Sequence, residues 1–152
     1  MYGTLEQTPD GPRLRFVRHL PHPPAKVWRA LTEPDELAKW FPGGKIDGEI
    51  TEREEERVLE FRWGGTDLVR FELEPDGDGT RLLLLDTLEA LGKAARDGAG
   101  WHVCLDELEH ALEGTSADSS TSDQWRGVHP HYVDDFGPEA ATIGPPEGAL
   151  EG

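Results

Sequence analysis

Acid–base chemistry needs a carboxylate or an imidazole held among apolar groups, where its pKa can be moved. In this chain the acid that answers to that description is Asp86. It follows the apolar run Leu82 to Leu85, and the turn before that run puts Leu82, Leu84 and Asp86 on one face. An acid facing inward needs a partner or a water. Spacing places no base beside it, and a lone acid is a thin basis for catalysis, so no residue is nominated as catalytic. Six histidines raise the question of metal chemistry. His129 and His131 with Asp134 and Asp135 offer nitrogen and oxygen ligands close in sequence. Pro130 keeps the two histidines off a common helix face, and no cysteine joins them, so neither metal nor cofactor is expected. His19 and His22 flank a strand end, and His102 stands one step off an apolar stripe. No nucleophile elbow, phosphate loop or dinucleotide fingerprint is present.

Stacking is better represented than proton transfer. The five tryptophans are Trp28, Trp40, Trp63, Trp101 and Trp125. Trp63 and Trp101, with Phe61 and Phe71, could wall a ligand site or simply fill a core, and periodicity alone favours the core.

The element that must position these groups is Gly100 to Leu112, GWHVCLDELEHAL. Trp101, Leu105, Leu108 and Leu112 recur at steps of four, three and four, the period of a helix with one apolar stripe. Cys104 and Ala111 widen the stripe, while Asp106, Glu107, Glu109 and His110 are expected to face water. The pattern extends back through Lys93, giving about 20 residues at 1.5 Å each and a stop near Gly114. Gly98 and Gly100 each cost about 1 kcal/mol against Ala inside a helix, so they mark a bend or a place that must be left open.

Residues 1–12 read as a flexible lead-in. Arg13 to Leu20 alternates as a strand, with Leu14, Phe16, Arg18 and Leu20 on one face. Two short helices follow, Ala25 to Leu31 and a second one capped by Thr32 that Pro42-Gly-Gly stops. Ile46–Arg53, Arg57–Trp63, Leu68–Glu74 and Thr80–Leu88 read as strands joined by turn-like connections, which implies an antiparallel meander. The class is therefore α+β. The acids at Glu52, Glu54, Glu55 and Glu56 belong to a solvated turn. Residues 1–114 form one domain. Residues 115–152 form an acidic C-terminal extension with one short helix near 125–136, bent by Pro130, and a flexible tail.

A net charge of −16 disfavours nucleic acid and anionic membrane as partners. The single cysteine, Cys104, cannot form an internal disulfide. With no signal peptide and no apolar run near 18 residues, a cytoplasmic location is expected.

Three segments in this order, PPAKVWRALTEPDELAKWF, DGTRLLL and GWHVCLDELEHAL, resemble the START-like (SRPBCC) superfamily. The branch they are most similar to is the bacterial homologues of the activator of the heat-shock-protein-90 ATPase. The resemblance covers about residues 13–113. It implies a helix-grip fold: a curved antiparallel sheet wrapped on one long C-terminal helix, with two short helices after the first strand and a cavity between sheet and helix. Similar proteins carry about two further strands after the Trp-Phe-Pro that ends the second helix. Here Trp40-Phe41-Pro42 runs almost directly to Ile46, so either the sheet is shortened or residues are absent there. The function implied is non-enzymatic binding of a small apolar or amphipathic molecule, by a monomer or homodimer. The pocket residues would be Trp63, Phe61, Phe71, Leu82, Leu84, Asp86, Trp101 and Leu105. The alternatives are a co-chaperone-like module that binds another protein, and an enzyme of cyclase or hydrolase type using the same cavity.

Overall fold

The computed structural model describes residues 2–64 and 66–143. Ten regular elements run β1 (Thr4–Thr8), β2 (Gly11–Leu20), α1 (Pro24–Thr32), α2 (Pro34–Leu37), β3 (Ile50–Glu54), β4 (Val58–Trp63), β5 (Asp67–Asp76), β6 (Gly79–Thr87), α3 (Ala94–Glu113) and α4 (Thr121–Phe136). The six strands form one antiparallel sheet in the order β1-β2-β6-β5-β4-β3. Its inner face carries Leu14, Phe16, Leu59, Phe61, Val69, Phe71, Leu82 and Leu84, all buried, and α3 lies over it. This is the α+β class that the order of elements implies and the helix-grip arrangement that the resemblance implies.

Alternation builds the central strands, and turn chemistry fixes their register. Asp76 pairs with Gly79 across a two-residue turn whose Gly77 has φ +60°, a conformation that suits glycine. That register sets Leu82, Leu84 and Asp86 inward together. On α3, the stripe Trp101, Leu105, Leu108 and Leu112 is buried, and the helix ends on Gly114 at φ +73°. There Thr115 N–H donates to the His110 carbonyl and Gly114 N–H to that of Ala111, satisfying two end carbonyls.

Four features differ from the sequence reading. The lead-in contains β1, paired with β2 from Thr4↔Arg15 to Thr8↔Gly11. Its TLEQT holds a single apolar residue, so the strand is made by the free edge of β2 rather than by its own pattern. Thr32 is the last residue of α1, not a cap. Its hydroxyl donates to the Trp28 carbonyl, and Glu33 takes the extended conformation that a residue before proline prefers. β3 begins at Ile50 rather than Ile46, because residues 45–49 must cross close to β4. A Cβ on Gly48 would lie 1.6 Å from the Arg62 carbonyl oxygen. Asp106 and Glu109 do not simply face water: both pair with the buried Arg18 of β2, which bonds Asp106 at 2.8 Å.

Between α2 and β3 the chain makes one 3-10 turn, Pro42–Gly44, and no strand, so the sheet is shortened on that side. At the other end of the molecule α4 begins at Thr121 and packs along α3. Ser120 caps it by accepting the Asp123 N–H. Tyr132 is fully buried, and its hydroxyl accepts the Gly3 N–H at 2.9 Å and lies 2.8 Å from His102 Nδ1. A Cβ on Gly98 would touch Tyr132 and Phe136 at 3.3 Å, so this glycine makes room for α4. Beyond α4, Pro138–Ala141 is a 3-10 turn with Ala140 buried, and Ile143 N–H donates to the Gly92 carbonyl. The flexible tail expected from 137 is thus docked on the domain as far as Ile143, because Ala140 finds an apolar site and the Gly92 carbonyl a donor; its part from 144 to 152 lies outside the described residues.

Candidate functional site

The shortened sheet leaves a groove of about 480 Å³ where α2, the following turn, the end of β4, α3 and α4 meet. Each wall has a local cause. Pro42–Gly44 stops α2 and holds Phe41 and Pro42 on one side. β4 ends at Trp63, whose parity with Phe61 turns it inward. From α3 come Asp97, Gly100, Trp101 and Cys104, spaced three, one and three, and hence on one helix face. Trp125, near the start of α4, closes the far side, held by its indole N–H bonded to the Arg96 carbonyl.

The aromatic rings form a continuous surface. Trp63 and Trp101 face each other with ring centres 6.1 Å apart, and Phe41 lies 5.1 Å from Trp63 and 6.0 Å from Trp101. A Cβ on Gly100 would meet nothing within 4 Å, so the missing side chain is open groove. The rim is polar and of mixed sign, with Lys39, Arg96, Asp97 and Glu107. Of the eight residues nominated for a pocket, the structure brings Trp63 and Trp101 to the groove. Phe61, Phe71, Leu82, Leu84 and Leu105 are closed into the core behind them, and Asp86 lies behind Trp101.

Asp86 is fully buried. Its Oδ2 accepts the Trp101 indole N–H at 2.9 Å, while Oδ1 has no hydrogen-bond partner. Burial above all, and then the charge of Asp67, push its carboxyl up to about 8, against the pull of the Trp101 bond. The acid therefore holds its proton at neutral pH. Asp97 is also raised, again by burial first, with Arg96 opposing. Asp67 is buried and bonded by Lys93 Nζ at 2.7 Å. Asp67, Asp86 and Asp97 each bring one carboxylate oxygen to within 4.8 Å of the other two. Spacing identified only Asp86 of these. The signal for Asp97 was its four-residue offset from Trp101, which puts the two on one face of α3; nothing local signalled Asp67.

Other reactive types near the groove are quiet. Burial pushes the Cys104 thiol up to about 12, so it is no thiolate nucleophile. Burial lowers His102 to about 4, against the opposing charge of Asp106, and it stays neutral. His129 stacks on Trp125 and His131 on Tyr2, with ring centres 4.2 and 3.6 Å apart.

Residues 42–113 match the family model described as Activator of Hsp90 ATPase homolog 1-like protein. Over that stretch, just under half of the chain, the protein is similar to AHSA1-like proteins. That similarity supports the START-like (SRPBCC) resemblance carried by the three sequence segments. Among solved structures, CalU16 from Micromonospora echinospora superposes with a TM-score of 0.70 at 21% identity, covering 88% of this chain and 95% of its own. DynU16, of the dynemicin biosynthetic locus, gives 0.58 at 25% over 66% of this chain and 47% of its own. The Aha1 dimer from Colwellia psychrerythraea gives 0.58 at 20% over 69% and 98%. No curated protein matches the sequence. Within the AHSA1-like segment fall Trp63, Asp67, Asp86, Asp97, Gly100 and Trp101, whereas Trp125 lies beyond it, so α4 adds a groove wall outside the matched region. No helix of the described residues is long and apolar enough to cross a membrane.

Proposed function

We propose that this AHSA1-like domain binds, without turnover, a small apolar or amphipathic molecule with a flat aromatic part. The observation that carries the reading is Gly100. A glycine inside a 20-residue helix weakens it, yet here its absent side chain keeps open the space among Phe41, Trp63, Trp101 and Trp125. Flat apolar surface stacked on such rings gains burial and offset-stacking energy, and a polar edge can meet Lys39, Arg96 or Glu107 at the rim. The neutral thiol of Cys104 and the sealed position of Asp86 favour a binder over an enzyme.

The test is a panel of polycyclic aromatic and lipid-like compounds, read by tryptophan quenching and by melting temperature. A ligand at a hundredfold excess over its Kd should stabilise the fold by about 2.7 kcal/mol. Gly100→Leu fills the groove without touching the core. It should melt within a few degrees of the wild type yet lose quenching and ligand-induced stabilisation. A panel that shifts nothing, or a Gly100→Leu variant that responds like the wild type, would sink the reading and leave a protein-binding role as the better one.

A further inference from the structure

We infer that Asp67, Asp86 and Asp97 form a binding site for one hard divalent cation, set behind Trp101 with Asp97 at the groove. The site needs no groove ligand, and the inference stands apart from the proposed function.

Three carboxylates drawn from three elements converge here: the first residue of β5, the end of β6 and the first turn of α3. Asp67 and Asp86 are buried, and Asp97 is partly so. One oxygen from each lies within 4.8 Å of the other two, close enough for a single ion to contact all three. Carboxylate oxygens alone select a hard cation of the Mg²⁺, Mn²⁺ or Ca²⁺ kind over the softer metals that prefer nitrogen or sulfur.

Acids that cluster need not bind anything, so the partners decide. Lys93 Nζ and the Glu89 N–H both bond Asp67 on Oδ1, and Arg96 Nε bonds Asp97 on Oδ1. Two cations thus serve two of the acids through one oxygen each. The third acid has none. Asp86 Oδ1 is fully enclosed and accepts no hydrogen bond, while its other oxygen is fixed by the Trp101 indole. Buried acceptors are ordinarily satisfied, and one left bare beside two further carboxylates is a place for a positive charge: a proton in the metal-free protein, which an incoming cation displaces. Asp97 also lines the groove, so the cluster meets open space at one of its three members. Lys93 is the competitor: its ammonium rests on Asp67 at the end of a flexible four-carbon stem.

Terbium is the probe, because the Trp101 indole nitrogen lies 2.9 Å from Asp86 Oδ2 and can sensitise a lanthanide held there. The full chain is stripped with chelator and titrated with Tb³⁺ under tryptophan excitation, and Mn²⁺, Mg²⁺ and Ca²⁺ are then used as competitors. One saturable ion per chain is expected, displaced by at least one of the three. Asp97→Asn, on a partly exposed position that tolerates change, should weaken it tenfold or more. Asp86→Asn should abolish it, with circular dichroism confirming the fold. Lys93→Gln should tighten binding severalfold by removing the competing ammonium, which loss of a merely structural ion pair would not do. Since a chain of net charge −16 attracts cations anywhere, Glu52→Gln on exposed β3 serves as control and should change nothing. Absence of saturable emission in both the wild type and Lys93→Gln overturns the site. So does emission that survives Asp97→Asn and Asp86→Asn. An Asp86 carboxyl that infrared difference spectra show still protonated in excess cation overturns it too, leaving a proton in the place assigned to the ion.

Discussion

Asp86 carries the strongest electrostatic consequence of any single side chain here. Its carboxyl, raised to about 8 by burial, keeps its proton in the folded state, while in the unfolded chain it loses it near pH 4. Between those values the folded state binds more protons, so stability falls as pH rises. His102 works the other way. Lowered to about 4, it is neutral when folded and takes a proton near pH 6.5 when unfolded, so its contribution grows as pH rises from 4 to 6.5. The two oppose each other below pH 6.5, and above it only Asp86 remains. In chelator-containing buffer, denaturant melts of the wild type should therefore lose about 2 kcal/mol between pH 6.5 and 8, one proton at about 1.4 kcal/mol per pH unit. Asp86→Asn keeps an acceptor for the Trp101 indole N–H and has nothing to titrate, so its stability should stay level over that range. A wild type as flat as the variant would mean that Asp86 ionises at an ordinary acid pKa.

At the scale of the element, the two glycines of α3 make opposite predictions. Gly100 faces open groove, so Gly100→Ala gains the helix preference of alanine, about 0.5–1 kcal/mol, with nothing to displace. Gly98 lies under α4, where a new Cβ would stand 3.3 Å from Tyr132 and from Phe136, so crowding offsets the same gain. Thermal melts should rank Gly100→Ala above the wild type, and Gly98→Ala at or below it. Equal gains at both positions would show that α4 does not seat on Gly98. The pair also shows how far elements could be read from sequence. The length of α3, its buried stripe and its stop at Gly114 were legible, because a period and a helix-stopping glycine are local signals. β5 was legible by alternation, and in β6 the inward set Leu82, Leu84 and Asp86 was legible from the register of the turn before it, since Leu82 to Leu85 are all apolar. β1 was not, since its strand character comes from its neighbour. For the groove, Trp63 and Trp101 were legible through parity and periodicity. Phe41 and Trp125 were not, because which segments flank a helix is decided by tertiary packing. Asp97 was hidden by convention: an acid in a helix is normally read as solvated, although its four-residue offset from Trp101 put it on the same face.

For the whole molecule the question is what α4 contributes to a domain whose matched family segment ends at residue 113. Its Trp125 and Tyr132 are buried and Phe136 is packed against the same core. Tyr132 reaches across to the N-terminal end of the sheet, where its hydroxyl takes the Gly3 N–H and lies beside His102. One helix thus ties the first strand to α3. Burying each of these aromatic side chains contributes about 1.5–3 kcal/mol, and three together rival the 5–15 kcal/mol by which a domain of this size is stable. Truncation after Gly114 should therefore give a chain without a cooperative melt, exposing the α3 surface around Gly98 and His102 and binding hydrophobic dyes. Truncation after Gly137 is the finer test. It removes the buried Ala140 and the Ile143 N–H bond to Gly92, and leaves α4 in place. That loss should be about 1–2 kcal/mol, a drop of a few degrees with the transition still cooperative. The order matters more than either value. If the Gly114 truncation melts as sharply and as high as the Gly137 one, α4 is an appendage to a self-sufficient core. The groove would then have lost Trp125 at no structural cost, and the role of α4 would be confined to binding.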